Sequence, residues 1–371
     1  MKMNSISIIL LCSITMVACN DSKPDLGGTI YHGKNYITIN QFADSLKKEL
    51  DGRVIKYAFV VRHKLAITSR EAGKKNTGTN NFTIDSKCNI ASVTKTITAV
   101  AVLQLLEKKN LTLDEPVWRY LPATWNTSLI KNITFRQVLT HSAGFPNPPL
   151  ADNVDYGDVW NTIEGGPNPV TLNNHDYKNI NYGICRILVD FLDGYDPTAY
   201  ANQEYGTGSY FINYLQKNIF DLIHVQNVSF TPQSFNTTLF FKNTHVTGDG
   251  EPGTDYGNWL LKPGSAGIQL SAKELSEFLF FLETDNKFIS KNMRSQMESS
   301  KIGWDDINAF VGDEFLYKGG YFGDPRHLDP ILESAIFHFK NGLEISIIVN
   351  GDPGHDAVRT AYEKAWNDSQ H

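Results

Sequence analysis

Residues 39–50, INQFADSLKKEL, read as an amphipathic helix, and residues 54–62 then switch to a period of two. In that stretch Ile55, Tyr57, Phe59 and Val61 share one face. After His63-Lys64, Leu65–Ser69 predicts a return strand, and residues 73–81 a loop. From Val93 to Leu106 nearly every position is apolar apart from threonines and Gln104. A helix that is apolar all round is buried in the middle of a domain. Between 110 and 264 the pattern is helices and long loops rich in Asn, Pro, Gly and aromatics. Ser271-Ala272-Lys273-Glu274 is a capping box, followed by Leu275, Phe278, Leu279 and Leu282 at helical spacing. Strand patterning returns where Leu343, Ile345, Ile347 and Val349 alternate with Glu344, Ser346 and Ile348. A last helix carries Val358, Ala361, Tyr362 and Ala365 on one face. Strands at both ends and helices between them predict a mixed α/β (α+β) fold: a sheet built from both termini, interrupted by an all-α insertion.

Composition narrows the function classes. The 371 residues carry 34 Lys+Arg against 40 Asp+Glu, a formal charge of −6, with 41% hydrophobic and 20% charged residues. This is globular composition. A mildly acidic chain without a basic stripe is not expected to bind nucleic acid.

The N-terminus reads as an export signal. Residues 6–18, ISIILLCSITMVA, follow Lys2 and form an apolar core too short to span a bilayer. The run ends Met16-Val17-Ala18-Cys19, which resembles a bacterial lipoprotein signal whose cysteine becomes the acylated N-terminus. Met16 departs from the usual Leu, and plain secretion is the alternative. The implied organisation is a signal at 1–18, a Gly-containing polar tether at 19–35 and one domain over 36–371. Within it the α/β part covers 36–92 and 265–371, and the helical part 93–264. The protein would face the periplasm or cell surface, held to the membrane only through Cys19. Besides Cys12 and Cys19, only Cys88 and Cys185 remain, too few for a disulfide scaffold. They are either paired or buried as thiols.

The chain has no GxSxG elbow, HExxH, P-loop or strand-bound GxGxxG, and its ten histidines form no nameable ligand cluster. What remains is Ser-x-x-Lys, in three copies: Ser45/Lys48, Ser92/Lys95 and Ser128/Lys131. Ser45 and Lys48 sit on a surface helix, and Ser128 in a loop. Ser92 opens the buried helix, where residues i and i+3 share a face and Lys95 can reach the Ser92 hydroxyl. A helix N-terminus also aims unpaired N–H groups and a partial positive charge at a nucleophile there. The alternative is that Ser92 is only an N-cap.

Ile90-Ala91-Ser92-Val93-Thr94-Lys95-Thr96, followed by VLQLLEKKNLTLDEPVWRYLP at 102–122, resembles the class C β-lactamase-related serine hydrolases. ITFRQVLTHSAGFP at 133–146 resembles their next block, and 264–282 a later one. That group includes class C β-lactamases, DD-carboxypeptidases, D-aminopeptidases and esterases. The resemblance runs from about residue 50 to the C-terminus. It implies a β-lactamase/transpeptidase-like fold with an antiparallel sheet, and no metal or cofactor. It makes Ser92 the nucleophile, with Lys95 and Tyr177 as the general base pair. The Tyr-x-Asn element is assigned to Tyr177-Lys178-Asn179 over the triplets at Tyr200 and Tyr256, because an apolar helix follows it. Asn179 would hold Lys95 and the substrate. The third element is assigned to Lys318-Gly319-Gly320 over the triplets beginning at Lys262 and Lys340. The N–H groups of Tyr321 and Ser92 would form the oxyanion hole. Gly319 stands where Thr or Ser is usual, which removes a hydroxyl that binds a substrate carboxylate. Lys318 still favours an anionic substrate. His141 reads as a satisfied core or loop histidine.

The expected function is therefore an exported serine hydrolase acting through a Ser92 acyl-enzyme on a small-molecule or peptide substrate, such as a peptidoglycan fragment. DD-peptidase-like, D-aminopeptidase-like and esterase activities fit. The alternatives are a true class C-like β-lactamase and a non-catalytic penicillin-recognising scaffold that binds peptides.

Overall fold

The computed structural model describes residues 26–32, 35–51, 53–54, 56–74, 81–148, 154–196, 202–231, 258–261, 263–305, 315–323, 330–349 and 354–368. The signal, most of the tether and Cys19 lie outside the described residues.

Two short strands, β1 (Thr29–His32) and β2 (Asn35–Thr38), pair with each other and lead into α1 (Ile39–Leu50). Thr38 caps that helix: its hydroxyl accepts from the Gln41 N–H, and the Gln41 side chain returns to the Thr38 N–H. The hairpin β3 (Tyr57–His63) and β4 (Ala66–Ala72) follows, then the short strand β5 (Cys88–Asn89). A 3₁₀ turn at Ala91–Val93 opens α2 (Thr94–Lys108). The helical middle continues with α3 (Phe135–Leu139), α4 (Tyr156–Gly165), α5 (Asn179–Asp193) and α6 (Gln203–Leu215). After β6 (Gln269–Leu270), which pairs with β5, come α7 (Ala272–Thr284) and α8 (Lys291–Ser299). The chain ends with β7 (Phe315–Gly323), β8 (Pro330–Phe339), β9 (Leu343–Val349) and α9 (Gly354–Asp368).

The main sheet has the order β4-β3-β9-β8-β7, antiparallel throughout. The N-terminal hairpin thus joins the C-terminal strands, with Tyr57 opposite Val349. Both faces are covered. Tyr57, Phe59, Val61, Ile345 and Ile347 pack with Phe42 and Leu46 of α1 and Val358, Ala361 and Tyr362 of α9. On the other face Val60, Ile336 and Ile348 join the larger core with α2 and α7.

Two-sided burial changes the reading of β9. Its alternation separates two faces, and the polar positions Glu344 and Ser346 are buried as well. Each has a polar neighbour: Ser346 donates to the Ala272 carbonyl at 2.6 Å, and Glu344 Oε1 lies 3.5 Å from His338 Nδ1. The first predicted strand starts at Tyr57 rather than Val54, and its partner extends to Ala72. Cys88 and Cys185 are buried free thiols. Among the described residues, no helix is long and apolar enough to cross a membrane.

Candidate active site

The approach to Ser92 is a fixed turn. The Asn89 side-chain oxygen accepts from the Ala91 N–H at 2.9 Å, and Ala91 has φ +47°, a left-handed backbone that side-chain-bearing residues rarely adopt. Ser334 on β8 ties the turn to the sheet by donating to the Ile90 carbonyl at 2.6 Å. Ser92 therefore sits inside the 3₁₀ turn before α2, and no side-chain capping bond forms there. The N-cap alternative does not describe it.

Lys95, fully buried one turn on, donates to Ser92 Oγ at 3.0 Å, to Asn179 Oδ1 at 2.8 Å and to the Ser265 carbonyl at 2.8 Å. An ammonium has three N–H groups and no acceptor site, whereas an amine keeps two N–H groups and a lone pair. Asn179 Oδ1 and the Ser265 carbonyl can only accept. In the neutral form both N–H groups stay on them, and the lone pair is left facing the serine hydroxyl. Burial lowers the Lys95 pKa and nearby Lys318 lowers it further, against the opposing pull of Tyr177 and Asp305.

Tyr177 lies between the two lysines. Its ring centroid is 4.9 Å from Lys95 Nζ and 4.8 Å from Lys318 Nζ, and Lys318 donates to its hydroxyl at 3.5 Å. Burial works against ionising this phenol, but the neighbouring Lys95 and Lys318 prevail and hold its pKa below the usual value. His141 supports the tyrosine, with ring centroids 4.5 Å apart. The buried imidazole accepts from the Lys178 N–H through Nδ1 at 3.2 Å, and its carbonyl accepts from the Asp176 N–H at 2.8 Å. Burial, Lys95 and Lys318 all push its pKa well down, so it stays neutral and able to accept. The sequence reading had His141 as structural; the structure places that structural contact on both sides of Tyr177.

Strand β7 forms the third wall. A Cβ on Gly320 would lie 2.6 Å from the Ile90 carbonyl and 2.8 Å from Ser92 N. Glycine is needed there for close approach of the strand to the Ser92 turn. The free edge of β7 donates the Gly319 N–H to Asp305 Oδ2 at 3.0 Å, while its Tyr317 carbonyl accepts from the Asp305 N–H at 2.8 Å. Backbone groups face alternate edges along a strand, so Tyr321, two residues on, presents its N–H to the same edge. Its side chain reaches the Tyr317 hydroxyl at 2.9 Å and donates to Glu333 at 3.1 Å.

Lys318, the expected anchor for a substrate anion, has a partner within the chain. It is buried, and its ammonium meets Asp305 Oδ1 at 2.5 Å. Burial would lower its pKa, but Tyr177 and Asp305 raise it above the usual value. It is not an open anchor for a substrate anion. Sequence reasoning missed Asp305: Trp304-Asp305-Asp306 matches no motif, and only folding brings it beside β7. A cavity of about 270 Å³ is lined in part by His141, His175, Lys301 and Trp304.

The structure thus brings Ser92, Lys95, Tyr177, Asn179 and the Lys318–Tyr321 segment together. The other Ser-x-x-Lys copies lie apart: Ser45 donates to the Ala361 carbonyl, and Ser128 to Asn126. Lys340-Asn341-Gly342 is the β8–β9 turn, with Gly342 at φ +84°. Tyr200, Tyr256 and Lys262 lie outside the described residues. Among the described residues, no three His, Cys, Asp or Glu side chains gather as a metal site.

A mixed fold with an antiparallel sheet, flanking helices and a serine–lysine pair at the mouth of a buried helix is the arrangement of a β-lactamase/transpeptidase-like serine hydrolase. The Beta-lactamase family model matches residues 47–364, and the chain belongs to that family. No curated protein matches it. Among solved structures, the class C β-lactamase from Rhodobacter sphaeroides is similar over 90% of this chain and 100% of its own, at 15% identity and TM-score 0.66. A β-lactamase/D-alanine carboxypeptidase from Yersinia pestis, complexed with citrate, covers 88% and 97% at 15% identity and TM-score 0.66. D-amino acid amidase from Ochrobactrum anthropi SV3, complexed with L-phenylalanine amide, covers 90% and 99% at 16% identity and TM-score 0.64. At these identities the likeness is one of fold.

Proposed function

We propose that this chain hydrolyses an amide or ester through an acyl-enzyme on Ser92. The observation that carries the reading is the triple contact of Lys95, whose two fixed acceptors leave its third position to Ser92 Oγ. Lys95 takes the serine proton as the Oγ–carbon bond forms, and Tyr177 passes a proton to the leaving nitrogen or oxygen as its bond to carbon breaks. The N–H groups of Ser92 and Tyr321 receive the developing oxyanion. Water then attacks the ester on Ser92 and gives a proton to the Tyr177 phenolate, and Lys95 returns its proton to Ser92 Oγ as the acid leaves, which restores the hydroxyl. Asn179 keeps Lys95 in place.

Esterase, D-aminopeptidase-like and DD-peptidase-like activities on a small cell-envelope substrate all fit this chemistry, with β-lactam hydrolysis as the alternative. The N-terminal sequence supports an exported protein anchored through a lipid on Cys19. The test is labelling with a fluorophosphonate and a penicillin probe, with the modified residue found by mass spectrometry. Label on Ser92 is expected. A wild-type protein that takes no label is a binder rather than an enzyme, and label surviving Ser92→Ala removes the assigned nucleophile.

A further inference from the structure

Lys318 Nζ and the Gly319 N–H form a two-point anion seat on the free edge of β7, and a carboxylate from this chain already fills it. Asp305 places one oxygen 2.5 Å from the ammonium and the other 3.0 Å from the amide. Its own N–H bonds the Tyr317 carbonyl at 2.8 Å, so the backbone fixes the side chain in position. The face above Gly319 is filled as well: a Cβ there would lie 2.1 Å from the Tyr317 hydroxyl, which leaves no room for a serine or threonine side chain. That hydroxyl is held by Tyr321 at 2.9 Å. The buried lysine therefore has its charge matched before any substrate arrives.

We propose that Asp305 is a specificity-determining residue that selects substrates with no negative charge at this edge, namely esters or amides that are neutral or carry an amine. The inference rests on the acyl-enzyme reading above and narrows its substrate class. An incoming carboxylate would meet a like charge and find both donors of the seat engaged. An ammonium or a neutral group meets no such repulsion, and Asp305, with its side chain one-quarter exposed, remains accessible to a cation.

The test uses aryl esters matched in size that bear a methyl, an ammonium or a carboxylate group, placed on the acyl side in one series and on the leaving side in the other. For the wild-type protein, kcat/KM on the neutral and ammonium esters should exceed that on the carboxylate ester by tenfold or more in at least one series. In Asp305→Asn that preference should shrink at least fivefold, mainly through KM for the carboxylate ester. Asp305→Ser serves as a second variant of smaller size. Fluorophosphonate labelling of Ser92 is measured on every protein. An unchanged preference in both variants with Ser92 still labelled overturns the role of Asp305 alone. A wild-type protein that favours the carboxylate ester also overturns it. Absence of label from the wild type overturns the acyl-enzyme reading and this inference with it.

Discussion

Lys95 on α2 donates to Asn179 at the first position of α5, 2.8 Å away, so two helices far apart in sequence fix one amine. The carbonyl of Ser265 completes the clamp. A depressed pKa alone would not make a base; the clamp also decides where its lone pair points.

On the proposed mechanism, replacing that amine removes the base. Lys95→Met should slow Ser92 acylation by about 10²–10⁴-fold while the chain still folds. Stopped-flow or gel-based labelling gives the rate, and circular dichroism checks the fold. An unchanged rate contradicts the role.

Asn179→Asp places a negative charge on Lys95. A carboxylate there favours the ammonium, so Lys95 should lose its proton only at higher pH. The alkaline-rising limb of the acylation pH profile should shift upward relative to wild type, with Asn179→Ala slower but less shifted. A profile that does not move removes Asn179 from contact with the working base.

His141→Gln should lower the acylation rate constant roughly tenfold with little change in probe affinity, because Tyr177 loses the ring packed against it. The wild-type imidazole also carries a pH signature. Its folded pKa lies below the ordinary value of 6.5, so the unfolded chain binds the proton more readily. Its contribution to stability is complete above about pH 6.5 and declines as the pH falls below it. Urea titrations across that range should show a shallower acid loss in the variant.

Gly320→Ala should damage site and fold together. The added methyl meets the Ile90 carbonyl, Ser334 and Ser92 N, all within 2.8 Å. Overpacking of this kind costs about 1–3 kcal/mol, and the displaced Ser92 turn should lower acylation more than tenfold. Thermal unfolding and labelling measure the two effects separately.

Away from the site, His338 sits between Glu283 and Glu344, 3.6 and 3.5 Å from their nearest oxygens. Burial pushes Glu283 up to about 7, against the pull of His338. The imidazole is raised too: burial lowers it, but the two carboxylates prevail. A raised carboxyl and a raised imidazole act in one direction. The folded state holds protons that the unfolded state releases, so stability falls as the pH rises through about 7. Glu283→Gln should flatten that decline between pH 5 and pH 8, read by chemical denaturation at both.

Most of the fold was legible because its signals are local. The helix over 39–50, the capping box at Ser271 and the period of two in β9 each depend on a few neighbouring residues. Ser92 and Lys95 were legible for the same reason, one helical turn apart. Asn179 and Tyr177 needed the family resemblance, since nothing local ties them to Lys95. Asp305 and the support of Tyr177 by His141 were hidden because each is a contact between distant segments with no motif of its own. The burial of Glu344 and Ser346 was hidden likewise: strand alternation says which residues share a face, but not whether a helix covers it.

The pairing of Tyr57 with Val349 also bears on when the site can exist. Strand β7 reaches the rest of the sheet only through β8 and β9, and β9 is the strand that meets β3. Contacts of such long sequence separation form slowly, after the intervening loop has been closed. A chain emerging from the ribosome therefore has its serine and lysine long before it has the wall opposite them. On the proposed mechanism, acylating power would arrive with the last strands, and a growing chain would stay chemically silent until its synthesis is almost finished.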